Sequence, residues 1–110
     1  MSRRKKNKPR KHYQLNHYSL SVVEQRINDG MYLIKENAKQ GAYQDFGWDT
    51  SDIKKFYRKL KPRHFHKTDS SKCKLGVIID AYKAHIYGED VYTHFYIEEG
   101  LLVINGFHRQ

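Results

Sequence analysis

The C-terminal half of the chain carries lysines, tyrosines and histidines within stretches rich in β-branched and aromatic residues, a pattern that lines strand faces with acid–base groups. Lys67, Tyr82, Lys83, Tyr92, His94 and His108 stand out. Such side chains supply what metal-free cleavage of RNA requires. A base takes the 2′-hydroxyl proton, a cation stabilises the pentacoordinate phosphorane, and an acid protonates the leaving 5′-oxygen. Lys67, Tyr92, His94 and His108 are the catalytic candidates. Lys83 and Tyr82, with Arg63, Lys61 and Arg58 around the exit of a basic helix, are candidates for holding RNA phosphates.

Each candidate also has a plainer reading. A strand histidine is commonly a half-buried polar residue, and with seven in the chain some reach an open face by chance. Tyrosine suits strands by shape, so packing explains Tyr87 better than chemistry does. The run Lys54, Lys55, Arg58, Lys59, Lys61, Arg63 reads first as a solvated helix face and second as a guide for RNA. His64 and His66 alternate along a strand and Cys73 follows, but no fourth ligand has zinc spacing, so no metal site is expected. Cys73 is the only cysteine, which excludes an intramolecular disulfide, and nothing nearby marks a dedicated base for it. No glycine-rich phosphate loop appears, and no cofactor is expected.

The elements that must position these groups follow from periodicity. Ser21 and Glu24 have capping-box spacing ahead of Val22, Val23 and Ile27, predicting a short helix that ends at Asn28, Asp29 and Gly30. Ile34, Ala38, Ala42 and Phe46 recur every four residues, predicting a second helix from about Leu33 to Phe46 with Gly47 as its stop. Asp49 caps a third, with Ile53, Phe56, Tyr57 and Leu60 on one side and Pro62 beyond its end. Strands are expected at His64–Thr68, Val77–Tyr87, Val91–Ile97 and Leu101–His108, joined by short turns around Gly88 and Gly100. The fold expected is α+β, with two or three N-terminal helices packed on one face of a mainly antiparallel four-stranded sheet. Phe95, Leu101, Val103 and Phe107 are expected to face the helices, leaving Tyr92, His94, Tyr96 and His108 on the open side.

A chain of 110 residues with 38% hydrophobic and 14% aromatic residues is enough for one globular domain, expected over residues 13–110. Residues 1–12 read as a disordered basic tail. They hold seven of the 21 Lys and Arg and no acid, leaving 14 basic against 12 acidic residues in the body. Such a tail fits a polyanion partner or a solubilising leader equally well. No apolar run is long enough to span a bilayer or form a signal peptide, so a cytoplasmic location without membrane contact is expected.

The blocks His64-Phe65-His66-Lys67, Asp80-Ala81-Tyr82-Lys83, Asp90-Val91-Tyr92-Thr93-His94-Phe95-Tyr96-Ile97 and Leu102-Val103-Ile104-Asn105-Gly106-Phe107-His108 resemble the ordered blocks of MqsR-type toxins. His17 to Leu20, the helix to Gly30, the alanine-bearing helix and Gly47-Trp48-Asp49 resemble that family's helical half, so the resemblance spans roughly residues 12–110. It implies a RelE-like fold, cleavage of mRNA at short motifs by a toxin of a type II toxin–antitoxin system, and neutralisation by a cognate DNA-binding antitoxin. It also implies that Lys67 meets the scissile phosphate and that Tyr92 transfers a proton or stacks on a base. His94 and His108 stand where lysines are familiar, Lys83 matches a basic position, and Ile79 replaces a glutamine associated with activity. The extra Gly106 leaves the register of the last strand open. Two other readings use the same residues: a noncatalytic RNA-binding protein whose tyrosines stack on bases, and, ranked last, a DNA-binding regulator.

Overall fold

The computed structural model describes residues 16–70 and 76–110. The expected tail at residues 1–12 and Cys73 lie outside the described residues. Helix α1 spans Leu20–Asn28 and buries Val23 and Ile27. It starts two residues earlier than Ser21–Glu24 spacing predicts. Ser19 is the N-cap, its hydroxyl bonds Ser21 rather than the helix backbone, and no capping box forms.

Strand β1 (Tyr32–Ile34) comes next, where the second helix was expected to begin. The four-residue apolar period runs through Ile34, but the sheet edge competes for this backbone. Leu102 N–H donates to Met31 C=O at 3.1 Å and Lys35 N–H to Ile104 C=O at 3.0 Å. Helix α2 therefore starts at Glu36 and runs to Phe46, burying Ala38 and Ala42 completely. Gly47 closes it in the left-handed conformation at φ 72°, its N–H donating to the Tyr43 carbonyl and that of Trp48 to the Ala42 carbonyl. Helix α3 (Thr50–Lys59) opens with a capping box: Asp49 accepts from Asp52 N–H and Asp52 from Asp49 N–H, both at 3.0 Å. Pro62–His64 then form a short 3₁₀ turn.

Four longer strands follow: β2 (Phe65–Ser70), β3 (Ile78–Ile86), β4 (Glu89–Glu98) and β5 (Leu101–Arg109). The sheet has five strands in the order β1-β5-β4-β3-β2, antiparallel except for β1 against β5. The architecture is the expected α+β one, with a fifth strand at its edge.

Helices cover one face. Ile53, Phe56 and Tyr57 of α3 and Ala38 and Ala42 of α2 pack on Tyr82, Ala84, Val91, Phe95, Leu102, Ile104 and Phe107. Gly41 lets α2 approach β5 closely, because a Cβ there would stand 2.2 Å from the Phe107 carbonyl oxygen. Leu101 and Val103 do not face the helices as expected. Leu101 is exposed, and Val103 packs with Tyr96 and Val77 on the opposite side. The cause is a β-bulge. Phe95 pairs with Ile104 but His94 pairs with Gly106, so Asn105 is an extra residue that reverses the facing of everything before it in β5.

Buried Asp80 ties the leading segment to the sheet. Its carboxylate accepts from the backbone N–H of His17 at 3.1 Å, from that of Tyr18 at 2.8 Å, and from the Thr68 hydroxyl at 2.5 Å. A carboxylate with no solvent access is tolerable only with such donors.

Candidate active site

Two bulges shape the open face. In β2, Phe65 pairs with Tyr82 and Lys67 with Ala81, so His66 is the extra residue. His66 and Lys67 both approach the uncovered side, as His66 lies 6.0 Å from Tyr92, ring to ring, and Lys67 lines a depression there. In β5 the Asn105 bulge places Asn105 and Gly106 opposite His94, with Asn105 Nδ2 3.1 Å from His94 Nδ1. Bulges re-aim side chains in this way beside many active sites.

Between the bulges, register does the rest. Lys83 pairs with Tyr92, and Tyr92 with His108, so the three share a row across β3, β4 and β5. The Tyr92 and His108 rings are stacked, 5.2 Å apart with planes 18° from parallel, and His94 meets Tyr92 edge-on at 6.0 Å. Beside this row lies a shallow depression of about 210 Å³ lined by Lys67, Asp69, Ser70, Ile79, Ala81, Tyr92 and His94.

The electrostatics separate the groups. Burial, then the charges of His108 and Lys35, lower the His94 pKa and favour the neutral ring. Slight burial and the neighbouring Lys83 and Lys67 lower that of His66. Lys67 is held cationic chiefly by its hydrogen bond to Asp69, an ion pair at 2.9 Å that stands exposed on the same face. No group of three or more His, Cys, Asp or Glu side chains gathers among the described residues in a way suited to a metal ion. The face can therefore supply cations for phosphate, neutral imidazoles for proton transfer, and aromatic surfaces for bases.

A buried chain of hydroxyls underlies the Asn105 bulge. Thr93 Oγ1 donates its one proton to the Gly106 carbonyl at 2.7 Å, so Tyr57, 2.6 Å away, must be the donor to Thr93. Helix α3 is thereby linked through β4 to the bulge.

Among known families, the model for the motility quorum-sensing regulator, toxin of MqsA, matches residues 15–109. The chain belongs to this MqsR toxin family. Membership makes it a toxin of a toxin–antitoxin system, with an antitoxin for partner. No curated protein matches the chain. Among the described residues no helix is long and apolar enough to cross a membrane.

In this MqsR-family chain the sequence candidates divide. Lys67, Lys83, Tyr92, His94 and His108 come together on the open face. Tyr82 does not: it is fully buried on the helix side, stacked 5.7 Å from Phe95, because it pairs with core-facing Thr93. Its phenol lies near the Asn16 side chain, without a hydrogen bond of good geometry, and burial drives its pKa well above the ordinary range. It cannot touch RNA there. Arg58 belongs to the helical layer, donating to Asn28 Oδ1 at 3.1 Å, on the side of the sheet away from the depression. Lys61 and Arg63 flank His64 in the turn before β2, outside the depression's lining. Sequence reasoning missed His66, Asn105 and Lys35 as neighbours of the site. An insertion within a strand pattern was the only available sign, and Gly106 carried it.

Proposed function

We propose that this toxin is a metal-independent endoribonuclease that cuts messenger RNA in the cytoplasm by attack of a ribose 2′-oxygen on the adjacent phosphodiester. The observation that carries the reading is the convergence of Lys67, Lys83, Tyr92, His94 and His108, joined by His66, on one uncovered sheet face. His108 Nδ1 donates to the Arg109 carbonyl at 2.8 Å, which leaves Nε2 as the lone-pair nitrogen of the neutral ring. That nitrogen takes the 2′-hydroxyl proton as the 2′-oxygen bonds to phosphorus. Lys67 and Lys83 neutralise the charge that builds on the phosphorane oxygens. Tyr92 donates its hydroxyl proton to the 5′-oxygen as the P–O5′ bond breaks. The products are a 2′,3′-cyclic phosphate and a 5′-hydroxyl, and solvent returns the proton held by His108 to Tyr92.

Lys67 is paired with Asp69 before substrate arrives, so an incoming phosphate competes with an exposed carboxylate, a modest cost in water. Purified protein incubated with RNA in excess chelator tests the reading. Fragments ending in 2′,3′-cyclic phosphate are expected. RNA left intact across a wide pH range, yet bound with an affinity that falls steeply as salt rises, would favour a noncatalytic RNA-binding role on the same face.

A further inference from the structure

Two imidazoles on the open face are held by chemically opposite partners, and this decides where each keeps its proton. His94 Nδ1 lies 3.1 Å from Asn105 Nδ2. A carboxamide nitrogen only donates, so Nδ1 of the neutral ring accepts and the proton stands on Nε2. His108 Nδ1 lies 2.8 Å from the Arg109 carbonyl oxygen, which only accepts, so its proton stands on Nδ1 and Nε2 is bare.

We infer that Asn105 is a positioning residue that keeps His94 as the Nε2–H tautomer, a neutral donor, opposite in sense to His108, which presents a bare Nε2. The bulge makes this possible. Asn105 has no partner in the β4 register, so its side chain can turn toward the ring of the neighbouring strand. The bulge is held by two hydrogen bonds: Asn37 of α2 donates to the Asn105 carbonyl at 2.9 Å, and Thr93 donates to the Gly106 carbonyl. Gly106 completes the arrangement, because the space its Cβ would fill is taken by His94 Nε2, 2.1 Å from the ideal Cβ position. Burial, His108 and Lys35 all disfavour a second proton on His94, so the neutral tautomer is the relevant species.

The catalytic consequence rests on the ribonuclease reading; the tautomers do not. In that reaction His94 would give a hydrogen bond to a phosphate oxygen while His108 takes the 2′-hydroxyl proton, so the two rings are not interchangeable.

Imidazole ¹⁵N NMR of histidine-labelled protein at alkaline pH reads the tautomers directly. His94 should show a protonated Nε2 and His108 a protonated Nδ1. In Asn105→Asp the carboxylate can only accept, so the His94 proton should move to Nδ1 while that of His108 stays. A wild-type His94 protonated at Nδ1, or a tautomer unmoved in Asn105→Asp, would overturn the inference. If Asn105→Asp does not fold, the wild-type spectrum alone decides. With RNA, Asn105→Asp should lose about 100-fold in kcat through misplacement of the donor. Correct tautomers in a wild-type protein that cuts no RNA would sink the nuclease reading and uphold the role of Asn105.

Discussion

His94 lies directly over Gly106, its paired residue in β5, so closely that a Cβ at position 106 would be 2.1 Å from Nε2, 2.7 Å from Cε1 and 2.8 Å from Cδ2. Gly106→Ala must therefore displace the imidazole, which cannot shorten itself as a flexible chain end could. The expected cost is about 1–3 kcal/mol, as for other overpacked sites. The same change in a His94→Ala background should cost little. Chemical denaturation of the four proteins checks this, and equal losses in both backgrounds would assign the glycine to backbone geometry instead.

Thr93 is fully buried, and its hydroxyl joins Tyr57 to the Gly106 carbonyl. Thr93→Val keeps the shape but orphans a phenol and a carbonyl, each at about 1–3 kcal/mol. Tyr57→Phe removes only the outer donor and should cost about 1 kcal/mol. The double variant should be less destabilised than the sum of the two, since the second change removes a group the first had orphaned. Additive losses in urea unfolding would mean the chain does not act as a unit.

The legible parts of this protein are those in which one local rule acts alone. Asp49 announces α3, Gly47 ends α2, and alternation along Tyr92, His94 and Tyr96 puts these three on one side of β4. Tyr32–Ile34 was lost to the helical period because its strand character comes from the edge of β5, a partner some seventy residues later in the chain. The two bulges are the other failure. Alternation places residues on faces only while every residue has a partner, so one unpaired Asn105 reversed Leu101 and Val103, and one unpaired His66 concealed that it shares a side with Lys67. Tyr82 was misplaced for a related reason: tyrosine fits a core or a wet face equally well, and only its pairing with Thr93 decides. Tyr92, His94 and His108 reach the open face as alternation predicts because they lie on the side of the bulge where the simple alternation still holds.

His94 gives a pH dependence of known sign. Its folded-state pKa lies below the ordinary histidine value near 6.5, first through burial and then through His108 and Lys35. Above that value both states are neutral and its contribution to stability is fully present. As pH falls, the unfolded chain takes up a proton first, and stability is lost until the folded ring also protonates. His64 and His66 are shifted in the same direction and add to the slope. Melting temperature should fall between about pH 7 and about pH 5, and less steeply in His94→Gln. An unchanged slope in that variant would remove His94 as a source.

Lys67 and Asp69 form an exposed ion pair at 2.9 Å on the floor of the proposed substrate path. Exposed pairs contribute little to folding, so Asp69→Asn should leave the melting temperature nearly unchanged. It should tighten RNA binding at low salt, because the Lys67 ammonium no longer has to exchange a carboxylate for a phosphate. Titration of a short RNA against both proteins at several salt concentrations checks it. Weaker binding by Asp69→Asn would indicate that the carboxylate orients the lysine instead of competing for it.

Tyr92 and His108 are stacked 5.2 Å apart, so removing either ring disturbs both, and truncation alone cannot apportion their roles. Tyr92→Phe preserves the stack and deletes only the hydroxyl. If that hydroxyl is the acid, cleavage should fall by about 100-fold or more while RNA affinity holds. A substrate with a 5′-bridging sulfur, whose leaving group needs no proton, should restore the rate in Tyr92→Phe but not in His108→Ala, which lacks the base. Normal cleavage of ordinary RNA by Tyr92→Phe would reduce Tyr92 to a stacking platform. Restoration of His108→Ala by the sulfur substrate, with Tyr92→Phe left slow, would exchange the two assignments.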